Sequence, residues 1–261
     1  MTNPGIYGIL PYTIVVVHGG PGAAGSMAPV AKRLSRKYGV IEPFQTKGSV
    51  NGQIGELRDI IKENCEIPVV LIGWSWGAWL SYLTAARHPS LAKKLILISS
   101  GPFEQKYVKP ILDTRLHRMS ERDKIRFHQL ICVLENPFAK SKNQAFAELG
   151  KLLAKTDSYD PVRSKHDDAN ARYDIYKCVW RQAASLRRTG TLLQCGKKIR
   201  CPVVAVHGDF DPHPDRGVEM PLRKVLHEFR FVLLKNCGHQ PWVERFAREN
   251  FYSEIEKELK D

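Results

Sequence analysis

The sequence predicts an α/β protein: a mostly parallel sheet with helices on both faces and an all-helical insertion in the middle of the chain. Three observations carry that expectation. Strand and helix patterns alternate at both ends of the chain. The first strand candidate is a β-branched run, Thr13 to Val17, and the one before Gly73 is of the buried type. Between them, from Gly101 to about Gly196, strand signals vanish and only helical periodicity is left. A length of 261 residues suits one large α/β domain or one such domain carrying a smaller inserted unit.

The elements follow in order. Thr13 to Val17 is a β-branched run that ends in His18-Gly19-Gly20-Pro21-Gly22, and a helical stretch follows over Met27 to Tyr38. Val40 to Phe44 reads as a second strand. Asn51 to Asn64 reads as a helix with Ile54, Leu57 and Ile61 on one face, and Pro68 to Ile72 as a third strand running into Gly73. Trp76 to Arg87 should be helical, Leu95 to Ser99, Val203 to His207 and Phe229 to Leu234 extended, and Pro241 to Leu259 a closing helix. In the insertion, Phe127, Leu130, Ile131 and Leu134 keep helical spacing behind a Ser120-x-x-Asp123 cap, and Phe146, Leu149 and Leu153 repeat it. A third helix is expected after Asp167-Asp168, its stripe running through Ala169, Tyr173, Tyr176, Trp180 and Ala183. Packing against the sheet domain is the simplest role for these side chains, and Tyr173, Tyr176 and Trp180 are the ones that could also face a substrate. The expected division is therefore 1–103 and 196–261 as the α/β core and 104–195 as a helical cap.

Composition narrows the class. With 43% hydrophobic and 26% charged residues the chain is ordinary globular material, which excludes a disordered protein. The six cysteines, Cys65, Cys132, Cys178, Cys195, Cys201 and Cys237, show no C-x-x-C or Cys/His spacing. No metal site or disulfide framework is expected from them, and a reducing cytoplasm fits best. Residues 1 to 31 carry no Lys, Arg, Asp or Glu, yet Pro4, Gly5, Gly8 and Pro11 interrupt them and no basic segment precedes them. Neither a targeting signal nor a membrane span is expected. The net charge of +13 is concentrated: residues 104 to 200 hold 21 Lys and Arg against 11 Asp and Glu. Because the two signs alternate there, a solvated helical surface accounts for them better than a nucleic-acid site.

The chemistry centres on Gly73-Trp74-Ser75-Trp76-Gly77, set between a buried-type strand and a helix. A serine on so sharp a turn projects its hydroxyl from the sheet, and only glycine-sized residues fit two positions to either side. Acyl transfer at Ser75 needs donors for an oxyanion, a base and a carboxylate to orient that base. The backbone N–H groups of Gly20 and Trp76 are the expected donors. A phosphate-binding role for the Gly19-Gly20-Pro21-Gly22 loop is disfavoured because no G-x-x-x-x-G-K-[ST] or G-x-G-x-x-G pattern accompanies it. For the base, His239 stands between the last strand and the last helix, at the sheet edge that carries Ser75. His18, His88, His117, His128, His166, His207 and His227 sit at strand ends, helix ends or in the charged insertion, where structural or surface roles are the default. For the acid, His207-Gly208-Asp209-Phe210-Asp211 offers two carboxylates. Asp211, farther from the strand, can swing toward His239, leaving Asp209 to cap the turn. Trp74 joins Tyr173, Tyr176 and Trp180 as an expected pocket residue, and no cofactor is called for.

The order Ser75, Asp211, His239 behind an upstream oxyanion loop resembles the α/β-hydrolase superfamily over nearly the whole chain. H-G-G-P-G with G-x-S-W-G is similar to the prolyl iminopeptidase-like serine hydrolases, which implies the roles given above for Gly20, Ser75, Trp76, Asp211 and His239, and a cap inserted after the sixth strand. Two departures are visible. The first hairpin of that group is largely missing, and its D-Q-R-G-like segment is replaced by Glu42-Pro43-Phe44-Gln45-Thr46-Lys47-Gly48. The expected function is hydrolysis of an ester, amide or related acyl bond of a small molecule. A prolyl-type aminopeptidase, whose cap acids Glu104, Glu135 or Glu148 would hold an amino terminus, an acyltransferase, and a non-catalytic binding protein using the basic cap for an anionic partner are the alternatives. A carboxylate-nucleophile dehalogenase is excluded by Ser75.

Overall fold

Residues 3–162 and 170–260 are described by the computed structural model. His166, Asp167, Asp168 and Ala169, which the sequence placed on the surface and at the start of a helix, lie outside the described residues. The chain begins with β1 (Gly5–Tyr7), β2 (Tyr12–Val17), β3 (Ala23–Ala24), α1 (Ala28–Leu34), β4 (Gly39–Glu42), α2 (Val50–Asn64), β5 (Val69–Trp74), α3 (Trp76–Arg87) and β6 (Ala92–Ile98). Helices α4 (Lys109–Arg118), α5 (Glu121–Glu135) and α6 (Lys142–Asp157), strand β7 (Asn170–Ala171), and helices α7 (Tyr173–Arg188) and α8 (Thr191–Gln194) follow. The chain closes with β8 (Val203–Gly208), α9 (Arg216–Val225), β9 (Phe229–Leu234) and α10 (Arg248–Glu258).

Seven strands form one sheet in the order β1-β4-β2-β5-β6-β8-β9. Every pairing is parallel except β1 with β4, which makes this the α/β-hydrolase fold expected from the sequence. Side chains alternate along a strand, so a strand covered on both faces feeds two cores at once. Val15, Val17, Leu71, Leu95, Leu97, Val203 and Ala205 pack with α2, α3, α7 and α9. Their immediate neighbours Ile14, Val16, Val70, Ile72, Ile96, Ile98, Val204 and Val206 pack with α1 and α10 on the other face.

The insertion is built differently. Ser120 Oγ accepts the Asp123 N–H at 3.1 Å, the cap the spacing predicted. Phe127, Leu130 and Leu134 of α5 meet Ala145, Leu149 and Leu152 of α6 in a small core of their own. Helix α7 instead buries Ile175, Val179 and Ala183 in the sheet domain's core. That moves the buried stripe of α7 off the expected one: Tyr173, Tyr176 and Trp180 are half-buried on the adjoining face.

Other expectations shift too. The insertion does contain a strand, β7, whose Ala171 pairs with Ala23 beside the glycine loop. The closing helix starts at Arg248, and Pro241–Val243 makes only a 3₁₀ turn, because Glu244 is buried and its carboxylate is taken up by N–H groups of neighbouring loops. Helix α9 had no counterpart in the sequence reading. Among the described residues no helix is long and apolar enough to cross a membrane.

Candidate active site

The strand-to-helix turn between β5 and α3 puts Ser75 at φ 54° and ψ −115°, a left-handed backbone that a non-glycine residue adopts only where the surroundings force it. The surroundings do so by close approach. A Cβ on Gly77 would lie 2.2 Å from the Val17 carbonyl oxygen, and one on Gly73 would lie 2.2 Å from that of Gly77. Helix α3 therefore starts pressed against the end of β2, and the Ser75 N–H donates to Ile98 O at 2.9 Å. Ser75 is half-buried, with its hydroxyl free to meet what lies above the sheet edge.

His239 and Asp211 lie there, on the loops after β9 and β8. Ser75 Oγ is 3.1 Å from His239 Nε2, and His239 Nδ1 is 2.7 Å from Asp211 Oδ2. An ionised carboxylate only accepts, so Nδ1 carries a proton and Nε2 is the nitrogen turned to the hydroxyl. Burial works to raise the Asp211 pKa, but His239, His213 and His207 around it hold it well below the usual carboxylate range. Asp209 takes the other role: its Oδ1 accepts the Cys237 N–H at 3.2 Å and ties the two loops together.

The glycine loop after β2 turns at Gly20, whose φ is +59°. His18 beneath it is wholly buried, and burial lowers its pKa to about 4, so the ring is neutral. Its Nδ1–H donates to Gly19 O at 3.0 Å and its Nε2 accepts the Gln45 N–H at 3.2 Å. Trp76 is the first residue of α3, so its N–H has no intrahelical partner. Trp76 follows Ser75, and Gly20 lies two residues past His18, whose carbonyl, like that of Val17, Gly77 closely approaches.

Trp74 is turned toward His239. It is 8% exposed, packs edge-on against Trp242 and donates its indole N–H to His239 O at 2.8 Å, supporting the histidine from behind. Tyr173 sends its hydroxyl to Leu134 O at 3.1 Å inside the insertion. Tyr176 and Trp180 stack with centroids 6.0 Å apart, and Trp180 stacks in turn on Trp79, one helical turn beyond Ser75. Tyr176 and Trp180 thus form a column leading to the helix that follows Ser75, and Tyr173 lies at its far end.

Four residues with no part in the sequence reading complete the setting. His213 Nδ1 donates to Asp211 Oδ1 at 2.8 Å, a contact that the spacing Asp211-Pro212-His213 could have suggested. Asp157, at the end of α6, accepts the His239 N–H on its backbone oxygen at 2.7 Å. Its carboxylate holds Arg115 of α4 through both oxygens, one of them at 2.8 Å. Glu244 accepts from the N–H groups of Tyr159, Asp160 and Gly238 at 2.8 to 3.0 Å. The insertion is thus bonded to the His239 loop, and through Arg172 N–H to Gly22 O at 3.0 Å to the glycine loop as well. Among the described residues one group of metal-ligating type, Asp211, His213 and His239, has its ligand atoms within 4.8 Å of one another. Asp211 and the two Nδ1 atoms are already engaged in the hydrogen bonds given above.

The model of the Alpha/beta hydrolase family matches residues 14–251. Ethanol acetyltransferase 1 of the yeast Cyberlindnera jadinii is 30% identical over 107 residues, which cover 38% of this chain and 30% of that protein. Among solved structures, a candidate lipase of Acinetobacter baumannii is 21% identical with a TM-score of 0.68, covering 99% of this chain and 88% of that one. The 2-hydroxy-6-oxo-6-phenylhexa-2,4-dienoate hydrolase of Rhodococcus is 14% identical with a TM-score of 0.64, covering 99% and 94%. An epoxide hydrolase variant from Bacillus megaterium is 15% identical with a TM-score of 0.65, covering 99% and 96%. Neighbours with such different chemistries share a fold with this chain, and the fold alone does not select among them.

Proposed function

The chain belongs to the alpha/beta hydrolase family, and from that premise we propose that it is a serine hydrolase acting on a small-molecule acyl compound through an acyl-enzyme intermediate. The observation that carries this reading is the relay from Ser75 Oγ to His239 Nε2 at 3.1 Å and from His239 Nδ1 to Asp211 at 2.7 Å. In the proposed mechanism Ser75 Oγ attacks the carbonyl carbon while His239 Nε2 takes its proton. Asp211 steadies the imidazolium through Nδ1–H, and the N–H groups of Gly20 and Trp76 hold the oxyanion. Collapse of the adduct breaks the bond to the leaving group, which takes the proton from Nε2. A water molecule, deprotonated by His239, then attacks the acyl carbon and frees Ser75.

A prolyl-type aminopeptidase has less support. Glu148 is paired with Arg126 and Glu104 with Lys106, so two of the three candidate acids already hold a cation, and Glu135 lies exposed at the end of α5. A second reading, transfer of the acyl group to an alcohol, is favoured by the stretch shared with ethanol acetyltransferase 1 and uses the same residues with an alcohol in place of water. The six cysteines, none in a disulfide, fit a cytoplasmic setting.

Labelling with a fluorophosphonate tests the proposal. Intact-mass analysis should show one adduct per chain in the native protein and none in Ser75→Ala. Equal labelling of both proteins would refute the nucleophile assignment.

A further inference from the structure

Asp211 is shared by two imidazoles, and the proposed relay uses only one of them. His213 Nδ1 lies 2.8 Å from Oδ1 and His239 Nδ1 2.7 Å from Oδ2. The His213 backbone N–H adds a further bond to Oδ1 at 2.9 Å. The two rings stack with centroids 4.5 Å apart and planes at 28°. Pro212 and Pro214 flank His213 and fix φ on either side of it. His207 Nε2 donates to His213 O at 2.8 Å, so the residue is held through its ring, its N–H and its carbonyl.

The nitrogen opposite follows from this geometry. Both Nδ1 edges face Asp211, so both Nε2 edges face away from it. That of His239 meets Ser75 Oγ. That of His213 meets no hydrogen-bond partner among the described residues, and the side chain is 12% exposed. A carboxylate only accepts, so His213 Nδ1 keeps its proton and a neutral ring offers a lone pair at Nε2. Burial lowers the His213 pKa to about 4, in spite of Asp211, with His239 and Arg115 acting in the same direction as burial. The ring is therefore an acceptor at neutral pH.

We propose that His213 Nε2 is a specificity-determining hydrogen-bond acceptor beside the reacting serine, and that the preferred substrate carries an O–H or N–H donor close to its scissile acyl bond. A hydroxyl on the leaving alcohol is the simplest case. This rests on the serine-hydrolase reading and deepens it: His239 handles the proton that moves, and His213 recognises a proton that stays.

The test compares 2-hydroxyethyl butyrate with 2-methoxyethyl butyrate, each kcat/KM being divided by the rate of hydroxide hydrolysis of the same ester. Native protein should favour the hydroxy ester by about tenfold, the scale of one hydrogen bond to a site built for it. In His213→Asn the amide N–H still reaches Asp211 but the Nε2 acceptor is gone, and the ratio should fall to about one. Because a ratio is read, any loss transmitted through Asp211 cancels. If His213→Asn unfolds below assay temperature, the ratio is read in His213→Ser, with the same expectation. A native ratio near one, or a native preference that survives either substitution, overturns the role of His213 while leaving the Ser75 mechanism standing. Turnover of both esters that survives Ser75→Ala overturns both.

Discussion

Along β5 and β6 neighbouring side chains enter opposite cores, so each strand is locked from both faces. In α5 and α6 one face is buried against the other helix, and ion pairs such as Arg126–Glu148 and Lys124–Glu121 flank it in water. The difference separates two tasks. The sheet edge can hold Ser75 in a strained backbone because the cores behind it leave no alternative, whereas the insertion has a core too small to impose strain and acts through a few anchored contacts. Those contacts are specific: Asp157 O takes the His239 N–H, Glu244 gathers the N–H groups of Tyr159 and Asp160, and Arg172 reaches Gly22. The insertion therefore supports the loops that carry the proposed base and oxyanion donors.

The largest expected effect is on the sheet side. Asp211→Asn should lower kcat by about 10⁴-fold, since the amide favours the wrong tautomer of His239, while Asp209→Asn, which only ties two loops, should cost far less. A reversed order in steady-state kinetics would break the assignment of the acid. In the insertion the corresponding test is a pair of two-oxygen ion pairs that differ in burial. Arg115→Met leaves the Asp157 carboxylate, 8% exposed, without its partner and should cost about 3 kcal/mol in urea unfolding, with a fall in kcat as the His239 anchor loosens. Arg126→Met breaks a pair whose side chains are 47% and 43% exposed and should leave Tm where it was. Equal losses would mean that burial does not decide which insertion contacts matter.

A smaller effect returns to the sheet side. Glu42 at the end of β4 is fully buried; burial lifts its pKa to about 7, against bonds from the Met27 N–H and the Tyr7 hydroxyl that lower it. Its folded form keeps a proton that the unfolded form loses near 4.5. Folding stability should therefore be fully present below about pH 4.5 and fall as pH rises to about 7, by up to about 3 kcal/mol, levelling off beyond. Glu42→Gln should flatten that slope in urea titrations at several pH values. An unchanged slope would assign it to other groups.

The two regions also differ in how legible they were. Strands buried on both faces, such as Val69–Trp74, announce themselves as apolar runs, and the half-buried edge strand Phe229–Leu234 and the helix Trp76–Arg87 have the bounds their patterns suggest. Helix α9 is hidden because Gly217 and Pro221, themselves buried, interrupt the apolar face of Val218, Leu222 and Val225. Helix α4 buries Ile111 alone, too little for a period to be seen. Of the site, Ser75, Asp211 and His239 are brought together at hydrogen-bonding distance as their motifs suggested. Trp74, expected at a pocket, supports His239 through its indole N–H, and in sequence an aromatic side chain beside a serine looks the same whether it faces a cavity or backs a histidine. Arg115, Asp157 and Glu244 carry no motif, since what they do depends on segments meeting across the fold, whereas His213 shows only in its spacing from Asp211. The basic charge was legible in amount but not in place. Lys197, Lys198 and Arg200 gather with Arg87 and His227 around a cleft of about 830 Å³ next to Cys201, which precedes β8 at the sheet edge opposite Ser75.

The central claim is that the sheet edge forms an acyl-enzyme at Ser75, and rapid mixing with p-nitrophenyl acetate addresses it most directly. A burst of about one p-nitrophenol per chain, followed by acid quench, should leave a single acetyl group on the peptide that contains Ser75, with neither burst nor adduct in Ser75→Ala. Steady release without a burst and with no acetylated peptide at any quench time, from protein that turns the ester over, would contradict the account.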